Sequence, residues 1–432
     1  MQIFSMFDGV GGFIVGLNNA DNKIFKTTYS NQFEPSKKSQ DAFEVGVYRF
    51  PNMEHINDNV EDIPNEKFDE MRENGVDMIV GGFPCQDYSV ARSKKHEMGI
   101  EGKKGVLFWQ IIRAVKHISP KYLILENVDR LLKSPSKQRG RDFAIMLAEF
   151  NELGYSVEWR VINAADYGRA QRRRRVFFFV YKNSTSWAKH IDEVFEATAS
   201  TDNSLVYEDD HKYDDYIFKD GLFARQFPVV ELAYKNRHSF GELSNDIVNI
   251  SDNFTGKIWN SGVMRHGKYY TIDTEATIDE KPITLGEIII PEEKVPENYY
   301  VTGENLKKFH YLRGPKKIER TSVDGHVYTY SEGGMSPYDS LELPGRTMLT
   351  SEGSVNRSTH LLNINGRYRL ITPIEAERLQ DFPDDWTKYK QTSDGKVVEV
   401  SDRMRMFFMG NALVTGIVTR IGLELKKIDL EY

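Results

Sequence analysis

The sequence predicts an α/β protein built on a doubly wound, mostly parallel sheet, with an irregular, β-containing stretch inserted. Three observations point there. In the first 180 residues short apolar runs alternate with amphipathic segments, the pattern of strands that alternate with covering helices. Several of those runs end in glycine-rich or polar motifs, and doubly wound sheets bind ligands beyond the carboxyl ends of their strands. Helical periodicity then fades between about Asn183 and Arg346, where Gly, Asp, Asn, Lys and Tyr become frequent, and it returns near the C-terminus.

Ile3 to Phe7 is a short apolar run that ends in Gly9-Val10-Gly11-Gly12, and Phe13 to Asn19 can open a helix. Val76 to Val80 is a second strand, ending at Gly81-Gly82-Phe83-Pro84. Val106 to Ile118 places Leu107, Phe108, Ile111, Ile112, Val115 and Ile118 on one helical face, and Ser119-Pro120 stops it. Tyr122 to Leu125 delivers Glu126 and Asn127 at its end. Phe143, Met146, Leu147, Phe150 and Leu153 repeat at helical spacing before the C-cap Gly154. Val157 to Ile162 and Val176 to Tyr181 complete the set. In the insertion, Tyr269 to Ile272 and Val327 to Tyr330 read as short strands. Later, Thr372-Pro373-Ile374-Glu375 is a capping box with proline at the first helical position. Ala412 to Lys427 is an amphipathic helix returning to the first sheet.

Composition excludes several classes. At 432 residues, 40% hydrophobic and 28% charged, the chain reads as soluble and globular. It has no basic, apolar leader and no run near the roughly 18–20 apolar residues of a membrane helix, so a cytoplasmic protein is expected, with no membrane partner. Cys85 is the one cysteine, which allows neither an intrachain disulfide nor a thiolate metal cluster, and no metal is expected. The net charge of −7 weighs against general nucleic-acid binding, but a basic cleft can exist on an acidic protein. Two basic clusters stand out. One is the run Arg172 to Arg175. The other comprises Lys307, Lys308, Arg313, Lys316, Lys317 and Arg320 with His310 and Tyr311 among them, and its bland alternative is a solvated face.

The chemistry concentrates at predicted strand ends. The turn Phe7-Asp8-Gly9-Val10-Gly11-Gly12 lets backbone approach a ligand closely. It departs from the dinucleotide pattern G-x-G-x-x-G because Ile14 takes the last place. Gly82-Phe83-Pro84-Cys85-Gln86 puts a cysteine just after a strand, before a stretch with Arg92, Lys94, Lys95, His96, Lys103 and Lys104. Cationic neighbours favour the thiolate, so a nucleophile is expected over an inert packed thiol. Glu126 ends the most apolar strand, where partial desolvation raises a carboxyl toward proton donation near neutrality. The alternative is a capping or ion-paired glutamate. Arg173 and Arg175, at alternate positions, point to one side, against the alternative of a solvated basic turn.

In this order the motifs resemble those of the cytosine-5 DNA methyltransferases. The matches are the Phe7–Gly12 turn, Pro84-Cys85-Gln86, Glu126-Asn127-Val128, Gln171-x-Arg173-x-Arg175 and Gly410-Asn411-Ala412. The resemblance implies a Rossmann-like, S-adenosylmethionine-dependent methyltransferase fold. It also implies a catalytic domain at 1–185 completed by 360–432, a target-recognition domain at 186–345 and a connecting motif at 346–359. It assigns Cys85 as the nucleophile at cytosine C6, Glu126 as the acid at N3, and Arg175 to the extruded base with Arg173 in support. Cofactor contacts implied are Phe7, Gly9, Gly11, Gly12, Phe33, Asp62, Ile63, Pro84, Leu107, Asn411 and Ala412. The family's ribose-binding glutamate is replaced by Gln32, with Glu34 two residues on as the alternative. Gln86, Ser89 and Arg92, on a loop from Gln86 to Gly105 that closes over the flipped base, and Gln171, beside the arginines, are implied at the DNA.

The expected partner is double-stranded DNA, met by a monomer in a bacterial restriction-modification or phage-defence setting, either with a cognate endonuclease or defence module acting on the same site or as an orphan enzyme without one. Two other readings are weighed. A tRNA cytosine-5-methyltransferase shares the motifs but has a small recognition region, whereas about 170 residues separate Arg175 from Arg346 here. A catalytically silent DNA-binding homologue is free to lose the nucleophile or acid, and both are present.

Overall fold

The structure is a computed structural model that describes residues 1–83, 107–198, 213–232, 237–244, 246–322 and 325–432. Its strands are β1 (Gln2–Met6), β2 (Lys26–Asn31), β3 (Glu54–Ile56), β4 (Val76–Gly82), β5 (Tyr122–Val128), β6 (Tyr155–Asn163) and β7 (Arg174–Lys182). The insertion adds β8 (Val229–Glu231), β9 (His238–Glu242), β10 (Ser261–Arg265), β11 (Lys268–Ile272), β12 (Thr274–Ala276), β13 (Lys316–Thr321) and β14 (Val327–Glu332). The helices used below are α1 (Gly12–Asp21), α2 (Asp41–Arg49), α3 (Asn65–Glu73), α4 (Leu107–Ile118), α5 (Arg141–Glu152), α6 (Ser186–Thr198), α7 (Gly303–Arg313), α8 (Pro373–Leu379), α9 (Asp402–Asn411) and α10 (Thr415–Glu431).

Ten strands form the central sheet in the order β3-β2-β1-β4-β5-β7-β6-β10-β11-β9. From β3 to β5 every neighbour is parallel. From β5 outward the pairs are antiparallel. The order reverses between β1 and β4, so the crevice beyond their carboxyl ends is the place where such a sheet takes a ligand.

Two apolar layers sandwich the sheet. On one face α3, α4 and α5 contribute Phe68, Met71, Phe108, Ile111, Ile112, Val115, Phe143, Met146, Leu147 and Phe150. On the other, α1, α6 and α10 contribute Phe13, Leu17, Trp187, Ile191, Ile417, Val418, Ile421 and Leu425. The sequence of α4 explains its placement. Phe108, Ile111, Ile112, Val115 and Ile118 recur at three- and four-residue steps and are buried, each worth about 1.5–3 kcal/mol of burial. Ser119, at φ 55°, turns the chain out of the helix as expected. The capping box is present at α8, where Thr372 and Glu375 satisfy each other's backbone N–H groups.

Two expectations change in detail. The last helix begins at Thr415 rather than Ala412, because Met409 to Asn411 belong to a separate helix, α9. The boundary drawn at residue 186 also falls inside the sheet's own fold. Helix α6 packs on it, and β10, β11 and β9 extend it by antiparallel pairing onto β6. Val263 and Tyr270, from that stretch, are buried in the same core as Phe179. Among the described residues no single helix is long and apolar enough to cross a membrane.

Candidate active site

A cleft of about 600 Å³ opens at the β1/β4 reversal, within the ~300–1,000 Å³ range of small-molecule sites. It runs from the turn after β1, past the ends of β2 and β4, to the ends of β5 and α9. Phe7, Gly9, Gly12, Gln32, Phe33, Leu107, Glu126, Arg173, Arg175, Asn411 and Ala412 all line it. Residues far apart in sequence are thus collected at one rim by the parallel strand order.

At the β1 end, the backbone is bent hard. Phe7 has φ 54° and Gly11 φ 87°, and a Cβ on Gly11 would sit 2.7 Å from the Phe50 ring. Gly11 itself shapes the turn and does not line the cleft. Gly11 N–H donates to the Asp8 carbonyl at 3.0 Å, and Ser5 Oγ donates to the Asp8 carboxyl at 2.5 Å. Burial pushes the Asp8 carboxyl up to about 7. The side-chain oxygen of Gln32 accepts from Gly9 N–H at 2.8 Å. That oxygen is therefore committed to shaping the turn, and the amide nitrogen is the atom of Gln32 left for a ligand. Glu34 also lines the cleft, paired with Lys37 at 2.9 Å, and Lys37 lies 3.4 Å over the Phe407 ring.

Asp62 and Ile63 stand apart. Asp62 is exposed and Ile63 is buried in the core, and neither lines the cleft; Asn59 and Val60 do. The reason is positional, since β3 ends at Ile56 and a site at strand ends draws on the residues immediately after. The same rule identifies Asn31, the last residue of β2, whose amide donates to the carbonyls of Ile56 at 3.2 Å and Asp58 at 2.9 Å. Phe407 and Phe408 come from α9, and nothing local in the sequence marks them.

At the other end, β4 and β5 are in register so that Gly82 faces Glu126. Glu126 Oε1 lies 2.9 Å from Arg175 Nε. Burial raises the Glu126 carboxyl above the ordinary carboxylate range, with Arg175 and Arg173 pulling the other way. Asn127 donates to the Phe83 carbonyl at 3.0 Å, clamping the strand end that leads to Pro84 and Cys85. Pro84, Cys85, Gln86, Ser89 and Arg92 lie outside the described residues, as do the rest of the Gln86–Gly105 loop and Val106, the expected start of the next helix.

The arginine run alternates as expected. Arg172 and Arg174 are exposed, with Arg174 paired to Asp129 at 3.1 Å, while Arg173 and Arg175 face the cleft. Arg173 is buried and donates to the Met348 carbonyl at 3.0 Å and the Gly410 carbonyl at 3.1 Å. It braces β7 against the 346–359 segment and α9. Gln171 is corrected by the structure. It is fully buried, donates to the Leu379 carbonyl at 3.0 Å and accepts from Met348 N–H at 2.9 Å. With both ends of its amide bonded to backbone, it is an internal strut and no DNA contact.

Gly410 makes a sharp test of this bracing. A Cβ there would lie 2.4 Å from Leu349 C and Thr350 N, backbone atoms that cannot yield cheaply. Gly410→Ala is expected to cost about 2–4 kcal/mol of stability, read as a fall in Tm, and to weaken cofactor binding at neighbouring Asn411.

The donor set suits S-adenosylmethionine. Phe7 and Phe33 offer aromatic walls, Gln32 and Asn411 offer amides, and Glu34 offers a carboxylate that suits a cationic ligand.

Comparison with known proteins agrees with this geometry. The family model for C-5 cytosine-specific DNA methylase matches residues 1–427. Type II methyltransferase M.Sau3AI of Staphylococcus aureus is 54% identical over 429 residues, covering 99% of this chain and 96% of that protein. Type II methyltransferase M.DdeI of Desulfomicrobium norvegicum is 31% identical over 393 residues, covering 89% and 79%. Among solved structures, a Spodoptera frugiperda DNMT2 mutant superposes with a TM-score of 0.58 at 12% identity, covering 99% of this chain and 98% of that one, a likeness of fold. A match spanning nearly the whole chain, with the cleft motifs at the strand ends, places this protein in the C-5 cytosine-specific DNA methylase family.

Proposed function

We infer that this DNA (cytosine-5)-methyltransferase modifies a cytosine within a specific sequence of duplex DNA, using Cys85 as its nucleophile and Glu126 as its acid. The observation that carries the reading is the position of Glu126, desolvated, ion-paired to Arg175 and level with Gly82 at the strand end preceding Cys85.

The division of labour follows from the chain's own residues. Cytosine C5 is a poor nucleophile. The Cys85 thiolate forms a bond to C6 while Glu126 gives its proton to N3, which makes C5 enamine-like and able to attack a methyl group. S-adenosylmethionine, when bound, supplies that electrophilic methyl. Loss of the C5 proton, departure of the thiolate and return of the N3 proton to Glu126 then restore the neutral aromatic ring and the acid. Arg175, which lines the same cleft as Glu126, holds the extruded base, and buried Arg173 keeps the local field positive and the wall fixed. Asp8, Gly9, Gln32 and Phe33 hold the cofactor end. The ring is out of reach inside a duplex, so the base is extruded.

Residues beyond the extended sheet, in the stretch expected at 186–345, act as the target-recognition region, with 346–359 bracing it to the catalytic cleft. The identity to type II methyltransferases supports a restriction-modification role, with a cognate endonuclease as functional partner, in a bacterial cytoplasm and as a monomer. A direct comparison of tritiated methyl transfer to duplex DNA and to tRNA tests the substrate. Label in duplex DNA is expected, as 5-methylcytosine in one sequence context. Activity confined to tRNA rejects this reading.

A further inference from the structure

The second basic cluster in the sequence divides in two in the structure. Arg313 is interior, 1% exposed, bonded to Asp339 at 2.7 Å and to the carbonyls of Ser336 and Thr359 at 3.0 and 2.7 Å. Lys316 pairs with Glu332 at 2.9 Å. These two are construction. Lys308, Lys317 and Arg320 are exposed and make no ion pair among the described residues.

What Arg313 and Lys316 brace is a ribbon. Strands β13 and β14 pair antiparallel over six residues each, Lys316 opposite Glu332 through Thr321 opposite Val327. Among the described residues the ribbon pairs with no other strand, and most of its residues on both faces are exposed. Strand alternation puts Ile318, Arg320, Tyr328 and Tyr330 on one face. Ile318 and Tyr328 remain open to solvent at 36% and 42%. The Arg320 guanidinium lies 4.1 Å over the Tyr330 ring, which orients its planar fork. A lone two-stranded ribbon is marginal in water, yet this one is tied down at its base. Arg357 donates to the Leu312 carbonyl at 2.8 Å and to the Gly333 carbonyl, and Met335 N–H donates to the Arg313 carbonyl at 2.9 Å. Arg357 belongs to the 346–359 segment, whose Met348 carbonyl receives Arg173 at the cleft. The ribbon and the catalytic wall are thus joined through one short stretch of chain.

We propose that the β13–β14 ribbon enters the major groove beside the target cytosine and that Arg320 reads a guanine edge there. This rests on the duplex-DNA reading above. The physical fit is direct. A two-stranded ribbon is of a size the major groove admits, and an arginine fork meets guanine O6 and N7 with two parallel hydrogen bonds. Exposed cations at Lys308 and Lys317 complement phosphate on a chain whose overall charge is −7. Tyr328 and Ile318, costly to leave in water, gain apolar contact against bases and thymine methyls.

The test is methylation-context sequencing of DNA treated with wild type, Arg320→Ala and Arg320→Lys, with kcat and KM measured on the preferred site and on single-substitution sites. Arg320 is exposed, so folding is retained, checked by Tm. Arg320→Ala is expected to lower kcat/KM on the preferred site roughly 10–100-fold, mostly through KM, and to relax the preference at one guanine position. Arg320→Lys keeps the charge and loses the fork, and is expected to relax the same position with a smaller loss. An unchanged context with kcat/KM within about 2-fold of wild type overturns the proposal. So does an equal loss on every sequence, which marks a phosphate contact. If the wild type methylates no duplex DNA, the functional reading itself fails, and that result is seen before any variant is made.

Discussion

Replacing Cys85 with alanine is expected to abolish methyl transfer, a loss of roughly 10⁴-fold or more, while duplex DNA is still bound. The size of the effect follows from the chemistry. Without a nucleophile at C6 the cytosine ring has no route to an electron-rich C5, and no neighbouring group replaces a carbon–sulfur bond. Cys85 is the one cysteine in the chain, so no second thiol can substitute. Binding draws on other parts of the protein, so a gel-shift or anisotropy measurement should show an affinity near that of wild type. Full turnover by the alanine variant removes the mechanism.

Glu126→Gln is the second large effect, with kcat expected to fall about 10²–10⁴-fold. Glutamine keeps the shape and a hydrogen-bond donor but has no acidic proton for N3. The pH behaviour carries more information than the rate alone. Burial raises the Glu126 carboxyl, and this outweighs the opposing pull of Arg175 and Arg173. A raised carboxyl holds its proton fully below the ordinary carboxylate range and loses it as pH rises through its higher native value. The protonated, donating fraction therefore falls on the alkaline side, and the wild-type kcat profile should fall there with it. The linked contribution to folding has the same sign, present at low pH and lost as pH rises through the native pKa. The glutamine variant should lack that limb in kcat. An identical alkaline limb in both proteins assigns the titration to another group.

Much of the catalytic half was legible in the sequence because its signals are local. Apolar runs of five to seven residues between glycine turns specify the strands, and the spacing of Phe108, Ile111, Ile112 and Val115 specifies a helix whatever surrounds it. Strand ends then say where polar motifs gather, which is why Phe7, Gly9, Gly12, Glu126 and Arg175 meet in one cleft. Where the reading departed from the structure, the missing information is tertiary. Gln171 beside four arginines looks like a DNA-facing residue, yet the segments carrying Met348 and Leu379 close over it. Asp62 and Ile63 carry a motif-like pair, but β3 stops at Ile56 and leaves Asn59 and Val60 at the rim. The apparent domain boundary at 186 marks a change in composition, while backbone pairing continues across it to Ile272. Of the six cations in the second basic cluster, Arg313 is buried by Asp339, and no feature of its neighbours in sequence distinguishes it from Arg320.

During turnover the Cys85 sulfur is expected to become bonded to the pyrimidine ring. Incubation with S-adenosylmethionine and duplex DNA carrying 5-fluorocytosine at the target position should trap that bond, because fluorine cannot leave as a proton does. Peptide mass spectrometry is expected to find the nucleotide and its added methyl on Cys85. A stoichiometric adduct on any other side chain, or turnover of the normal target with no adduct formed on its fluorinated counterpart, contradicts the account.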